Sequence, residues 1–436
     1  MCEPAARTSA YASARSGGPA HVLMVSYLFS PTDLPPARRV RALRDAFVEV
    51  GVRGSVLTSS LSGSPPGEEE AFVLRAPDLR ARIAGRYRVL GEPGMRIVSA
   101  SGRRRWTRLL VPDTTAFSWL PSALALAARL GRTDRPDAVF TTSPPESTHL
   151  VGLALHSVGV PWIADLRDGW TFEPPTLRPY FRFLDRALER AVVQRANLVT
   201  AATEPLVAHL ARVKGSRTRV VELTNGFDPR SMEASRDERS SLDQSRFSLV
   251  YTGTGILDGK DPLPFLRGLR RLLAEQPALR QKLEVVFAGN FTREEANAML
   301  APELSGVFRF LGRVEHARAL GLQRAADGLL LITTRGATSI ATGKIYEYLA
   351  ACKPIFALAE GNVAVELLGR SGKHVTAPPG DEEGIVEGLR AYIDVWVSDR
   401  RQYAHKPGFD PYEYALPRIA RRLLDLLVEI GALRHA

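Results

Sequence analysis

His21-Val-Leu-Met-Val-Ser26, then the proline-rich loop Pro31 to Pro36, Ala37 to Val50, and Gly54-Ser-Val-Leu-Thr58, form the stretch whose reading decides the fold. The first run is short and apolar, which suits a strand buried on both faces of a parallel sheet. Val40, Leu43, Phe47 and Val50 keep helical spacing, and Gly51 ends that helix. Strand, loop, helix and strand in this order open a doubly wound α/β domain.

The same alternation continues outward along the chain. Asp137 to Thr141 and Trp162 to Asp165 read as strands with a helix near Ser147 to Val158 between them. Leu198 to Thr200 is a further strand, and a helix opens at Thr203-Glu204-Pro205. Arg230 to Arg246 carries few apolar residues and reads as a linker or exposed loop. The pattern then restarts, with strands at Phe247–Tyr251, Leu283–Phe287, Val307–Leu311, Gly328–Ile332 and Pro354–Ala357. Helices are expected at Pro262–Leu273 and Lys344–Ala351. The expected fold is α/β, with two doubly wound Rossmann-like domains facing across a cleft that is the default ligand site. The expected divisions are a disordered tail over 1–18, an acceptor-side domain over 19–229, a nucleotide-sugar domain over 246–405, and a C-terminal helix in 410–436 packing back toward the first domain.

A length of 436 residues fits two such domains. With 45% hydrophobic and 24% charged residues, the composition is that of a soluble globular protein. Cys2 and Cys352 are too few for a disulfide framework, and no apolar run reaches membrane-spanning length, so a cytoplasmic protein is expected. The net charge of +11 admits nucleic acid, an anionic membrane or a phosphorylated ligand as partner. Arginine is spread along the whole chain, and no nucleic-acid module or basic-aromatic stripe accompanies it. The two denser stretches, Arg80 to Arg88 and Arg103 to Arg108 around Trp106, read first as solvated surface. Peripheral contact with the inner membrane face is their alternative reading.

The residues richest in chemistry run from Thr338 to Pro354. There Gly343-Lys344 opens a helix and Glu347 lies one turn in. A helix start offers N–H donors and partial positive charge to a diphosphate, and a carboxylate one turn in can accept both hydroxyls of a ribose. An ordinary helix start with a solvated lysine fits the same residues equally well. The eight histidines have no metal spacing and no Asp-x-Asp pair is present, so neither a metal nor another cofactor is expected.

Gly343-Lys-Ile-Tyr-Glu347-Tyr-Leu-Ala-Ala-Cys-Lys-Pro354 resembles the donor-site helix of glycosyltransferase family 4, whose fold is GT-B. The family usually has two glutamates in this region. Glu347 matches the second, which binds ribose, while Ser339 stands where the first would be. The resemblance therefore implies that the contact to the donor sugar comes from Ser339 or Thr338, or is absent. Val250-Tyr-Thr-Gly-Thr-Gly255 followed by Lys260 resembles the family's first nucleotide-domain loop. Thr254 replaces the usual arginine there, leaving Lys260, with Lys344 placed to compensate; Gly253 and Gly255 taken alone are a tight turn. Gly289-Asn290 and Arg313 fall where the family has loops near base and phosphates. Thr224 to Asp228 resembles the family's turn at the domain junction.

In the first domain, Pro161 to Trp170 resembles a strand end facing the acceptor, with Asp165, Arg167 and Asp168 where relatives carry a histidine. Asp168 and Asp165 are the catalytic candidates, able to orient an acceptor hydroxyl or take its proton; the competing reading is a buried Asp–Arg pair securing the loop. Arg167 and Glu146 belong to the acceptor side. The implied activity is transfer of a hexose, with retention, from a nucleotide diphosphate sugar to an unidentified acceptor. The substitutions at Ser339 and Thr254 keep two alternatives open, a nucleotide-sugar 2-epimerase and an inactive binding partner of the same fold.

Overall fold

The computed structural model describes residues 11–32, 34–62, 72–79, 112–113, 115–172, 182–213, 215, 217–255, 259–372, 374–399 and 404–436. The basic stretches Arg80 to Arg88 and Arg103 to Arg108 lie outside the described residues. The chain divides into two compact units, residues 1–225 with 416–436, and residues 226–415.

In the first unit a short strand β1 (Tyr11–Ser13) precedes β2 (His21–Val25), the helix α1 (Pro35–Glu49), β3 (Arg53–Ser59) and β4 (Val73–Ala76). Helix α2 (Leu120–Thr133) leads to β5 (Ala138–Ser143), α3 (Thr148–Ser157), β6 (Trp162–Leu166), α4 (Arg182–Arg195), β7 (Leu198–Ala201), α5 (Glu204–Ala211) and β8 (Val220–Glu222). The seven strands β2 to β8 form one parallel sheet in the order β4-β3-β2-β5-β6-β7-β8. The apolar run of β2 explains its central place. Val22 and Met24 enter one core with Val40, Leu43 and Phe47 of α1, while Leu23 and Val25 enter another with Ala123, Val151 and Trp162. Alternating side chains of a strand point to opposite faces, so a strand covered on both faces must be apolar at every position.

The second unit repeats the plan with β9 (Phe247–Thr254), α6 (Leu263–Glu275), β10 (Leu283–Asn290), β11 (Phe308–Phe310), α7 (His316–Ala325), β12 (Gly328–Ile332), α8 (Gly343–Ala351), β13 (Ile355–Leu358), α9 (Val363–Ser371), β14 (Val375–Ala377) and α10 (Glu382–Tyr392). Its six parallel strands lie in the order β11-β10-β9-β12-β13-β14. Leu249 and Tyr251 face the core made by α6 and α10, whereas Val250 faces that made by α7, α8 and α9. Strand order reverses between β2 and β5 in the first unit and between β9 and β12 in the second. At such switch points the crevice outside the strands' carboxyl ends is open to a ligand.

The last helix, α11 (Leu416–Glu429), belongs to the first unit. Its Ile419, Ala420, Leu423, Leu424, Leu426 and Leu427 are buried in one core with α1. Each buried leucine contributes about 1.5–3 kcal/mol relative to exposure, enough to hold the helix there. Strand β15 (Leu433–His435) follows and pairs antiparallel with β1, Tyr11 opposite His435.

Two sequence expectations need correction. Residues 11–18 are not part of a disordered tail: Tyr11, Ala12 and Ser13 are buried, and Ser13 Oγ donates to Asp137 at 2.5 Å. The pairing partner lies at the other end of the chain, and an Ala/Ser/Arg-rich composition carries no trace of it. Nor is Arg230 to Arg246 a free linker. It belongs to the second unit and contains a short helix, Pro229–Glu233, whose Met232 is buried, as is Leu242. Two apolar anchors suffice to dock a polar segment.

Candidate active site

In the second unit the carboxyl ends of β9, β10 and β11 are tied by backbone bonds. Gly255 N donates to Asn290 O at 3.1 Å, and Gly289 N donates to Gly312 O at 2.7 Å. The strands approach so closely that a Cβ at Gly289 would lie 1.5 Å from Gly253 O, which makes glycine obligatory there. Tyr251 Oη donates to Thr254 O at 2.7 Å and steadies the end of β9.

Helix α8 starts beside this loop. The Thr342 side chain makes no cap hydrogen bond, and Ile345 N donates to Thr342 O at 3.2 Å in the first turn, the positive end of the helix. A Cβ at Gly253 would lie 3.0 Å from Lys344 Nζ. The ammonium group and the glycine loop, separated by about ninety residues of sequence, therefore share one place. On the far side of the loop the buried Glu295 carboxylate fills the space a side chain at Gly255 would need, with Oε1 2.1 Å from the Cβ position. Lys260 is only 8% exposed, Arg313 is exposed, Thr338 is exposed and Ser339 is buried.

Glu347 is the fifth residue of α8. His316 Nε2 donates to its Oε1 at 3.0 Å, and Gln323 Nε2 donates to its Oε2 at 3.1 Å. Gln323 also donates to Thr252 Oγ1 at 2.9 Å, and Thr252 N donates to Tyr348 Oη at 3.1 Å. Burial pushes the Tyr348 phenol up to about 12, so it stays neutral. Neither His316 nor Gln323 was among the residues singled out in the sequence. Both lie on α7, far from Glu347 along the chain, and belong to no motif.

In the first unit the structure separates the three charged residues at the carboxyl end of β6. Asp165 is fully buried and bound on both oxygens: Oδ2 accepts from Arg39 Nη1 at 2.6 Å and Thr142 Oγ1 at 2.7 Å, and Oδ1 from Thr200 Oγ1 at 2.8 Å. The arginine that pairs with it is thus Arg39 of α1, itself only 5% exposed, and not its neighbour Arg167. A carboxylate so enclosed is out of reach of an acceptor, and the catalytic expectation for Asp165 is corrected to a structural one. Arg167 Nε donates to Ser143 O at 2.8 Å. Burial holds its guanidinium below the ordinary value, with Arg39 acting the same way and Asp168 and Asp165 opposing. Asp168 itself is exposed, and Glu146 is half-buried at the start of the turn into α3.

The loop carrying Asp168 is clamped to α4. Trp170 Nε1 donates to Asp185 at 3.2 Å, and Thr171 donates through N and Oγ1 to Glu189 at 3.2 and 2.5 Å. His149 lies buried close by, its Nδ1 2.8 Å from Thr141 Oγ1 and its Nε2 without a hydrogen-bond partner. Burial pushes this imidazole down to about 4. Among the described residues no group of three or more His, Cys, Asp or Glu is arranged to hold a metal ion, and no helix is long and apolar enough to cross a membrane.

Residues 36–226 match the glycosyl transferase 4-like domain family. No curated protein matches the chain in sequence. Solved structures similar to it include HepE of Anabaena in complex with UDP and glucose, at 14% identity and TM-score 0.59, covering 94% of this chain and 100% of that one. The UDP-forming trehalose-phosphate synthase of Burkholderia xenovorans, in complex with glucose-6-phosphate, is similar at 14% identity and TM-score 0.63, covering 94% and 100%. Sucrose-phosphate synthase of Thermosynechococcus elongatus is similar at 14% identity and TM-score 0.58, covering 94% and 96%. Residues 36–226 thus match a glycosyl transferase 4-like domain, and the chain as a whole has the fold of these neighbours, two Rossmann-like units of GT-B type.

Proposed function

We propose that the chain takes a sugar from a nucleoside diphosphate sugar bound on the second unit and gives it, with retention, to an acceptor bound on the first. The observation that carries this reading is the meeting of Lys344 Nζ with the Gly253 loop beside the uncapped start of α8, with Glu347 one turn deeper. The cation and the helix end neutralise the leaving diphosphate, and Glu347 accepts the ribose hydroxyls. Gly253, Thr254, Gly255 and Gly343 give the phosphates a close backbone approach. Thr338, which is exposed, serves the donor sugar rather than the buried Ser339. Lys260 and Arg313 are secondary phosphate or base contacts.

The transfer needs no metal in this reading, since the positive charge comes from the protein. Retention rests on the family resemblance alone. Asp168, exposed on its clamped loop at the end of β6, orients or deprotonates the acceptor hydroxyl, with Arg167 preceding it and Glu146 following the neighbouring strand β5. HepE was solved with UDP-glucose as well as with UDP, so UDP-sugars are the first donors to try. Thermal-shift screening against UDP, GDP, ADP, TDP and their sugars tests the proposal, because a ligand that binds only the folded state raises its stability. A shift with one nucleotide series supports it, and no shift with any series at millimolar concentration refutes it.

A further inference from the structure

His316, Leu320 and Gln323 stand at positions i, i+4 and i+7 of α7 and share one helix face. Leu320 is buried in the core, while the two polar residues reach opposite oxygens of one carboxylate, Glu347. Gln323 is fully buried and its amide nitrogen is committed twice, to Thr252 and to Glu347. Its Oε1, also buried, has no hydrogen-bond partner. Turning the amide over would press Oε1 against Glu347 Oε2 and leave the nitrogen in the place where nothing accepts. The observed orientation therefore sets the amide's donor, and not its carbonyl, against Glu347. A buried carbonyl left unpaired is destabilising, and a glutamine that served packing alone would not carry that penalty.

Seven residues of helix set the Cα atoms of the two residues about 10 Å apart along its axis, and their side chains converge on the two oxygens of one carboxylate, so together they fix its rotation. A carboxylate accepts about four hydrogen bonds, more than the two that orient it here. We propose that His316 and Gln323 are positioning residues that hold Glu347 in the rotation that reads a 2′,3′-cis-diol, so that the site selects ribonucleotides over 2′-deoxyribonucleotides. This rests on the reading of Glu347 as the ribose contact. The two donors do not touch the nucleotide; they act through Glu347.

The test is calorimetric. UDP, GDP and ADP are titrated into the wild-type chain, and the tightest is compared with its 2′-deoxy counterpart. The wild type prefers the ribonucleotide by about tenfold or more, the loss expected for one hydrogen bond to a charged group. Gln323→Met, near in shape and without donors, lowers the preference to below about threefold and leaves the deoxynucleotide affinity in place. His316→Ala, at a half-buried position at the start of α7, moves the ratio in the same direction. Variants that keep the wild-type ratio, or that lose both ligands in parallel, overturn the positioning role. Equal wild-type affinity for the two nucleotides overturns the selectivity while leaving the donor site standing. Failure of the wild type to bind any of the three ribonucleotides overturns the reading of Glu347 and this inference with it.

Discussion

Replacing Asp165 by Ala leaves the Arg39 guanidinium buried without its counter-charge. Arg39 is 5% exposed and the lost contact is 2.6 Å long; Thr142 and Thr200 lose their acceptor at the same time. Removing one partner of a buried pair destabilises by about 3–5 kcal/mol. In a unit of about 250 residues, each kcal/mol shifts the midpoint by roughly 2–4 °C, so the transition of the first unit falls by roughly 6–20 °C. Scanning calorimetry of the variant reads this directly. A double replacement, Arg39→Met with Asp165→Leu, recovers much of the loss, because two apolar groups of similar size remove both buried charges together. The reasoning fails if Asp165→Ala melts with the wild type, and fails more sharply if it does so while transfer is abolished. That outcome would return Asp165 to the chemistry.

Lys344→Ala weakens binding of a nucleoside diphosphate far more than of the free nucleoside, since an ammonium next to the Gly253 loop meets phosphate and not base; parallel losses measured by calorimetry would assign it to structure. Asp168→Asn lowers turnover steeply with nucleotide affinity and melting temperature unchanged, because the side chain is exposed; a large drop in melting temperature would contradict the role. His149 is neutral and buried, with its imidazole pushed from 6.5 down to about 4. The unfolded chain thus binds the extra proton first, and stability falls as pH drops from 6.5 toward 4, by up to about 1.4 kcal/mol per pH unit. Denaturant unfolding at pH 7, 6 and 5 checks this, with His149→Gln expected to flatten the slope.

The strands at the centre of both sheets were legible because a strand covered on two faces must be apolar through its middle, as Val22, Leu23, Met24 and Val25 are, and as Gly328–Ile332 is. The start of α8 was legible too, since Gly343-Lys344 after an irregular stretch is a local signal. What the sequence concealed is non-local. The strand Tyr11–Ser13 has its partner at Leu433–His435, and nothing in either segment names the other. The pairing of Asp165 with Arg39 instead of Arg167 depends on how α1 lies on the sheet, which spacing along β6 does not encode. His316 and Gln323 carried one available sign, two polar residues at helical spacing around Leu320 on an otherwise mixed helix. Without the position of Glu347 that sign has no direction.

The central claim is that the start of α8 binds the nucleotide of the donor through Glu347. Calorimetric titration of the nucleoside diphosphate that stabilises the wild type most, into wild type and Glu347→Ala side by side, tests it most directly. Loss of a hydrogen-bonded charge contact of about 1.5–3 kcal/mol predicts a roughly 10–150-fold weaker dissociation constant for the variant, with melting temperature close to wild type. Equal affinity in the two proteins would contradict the account and remove Glu347 from the site.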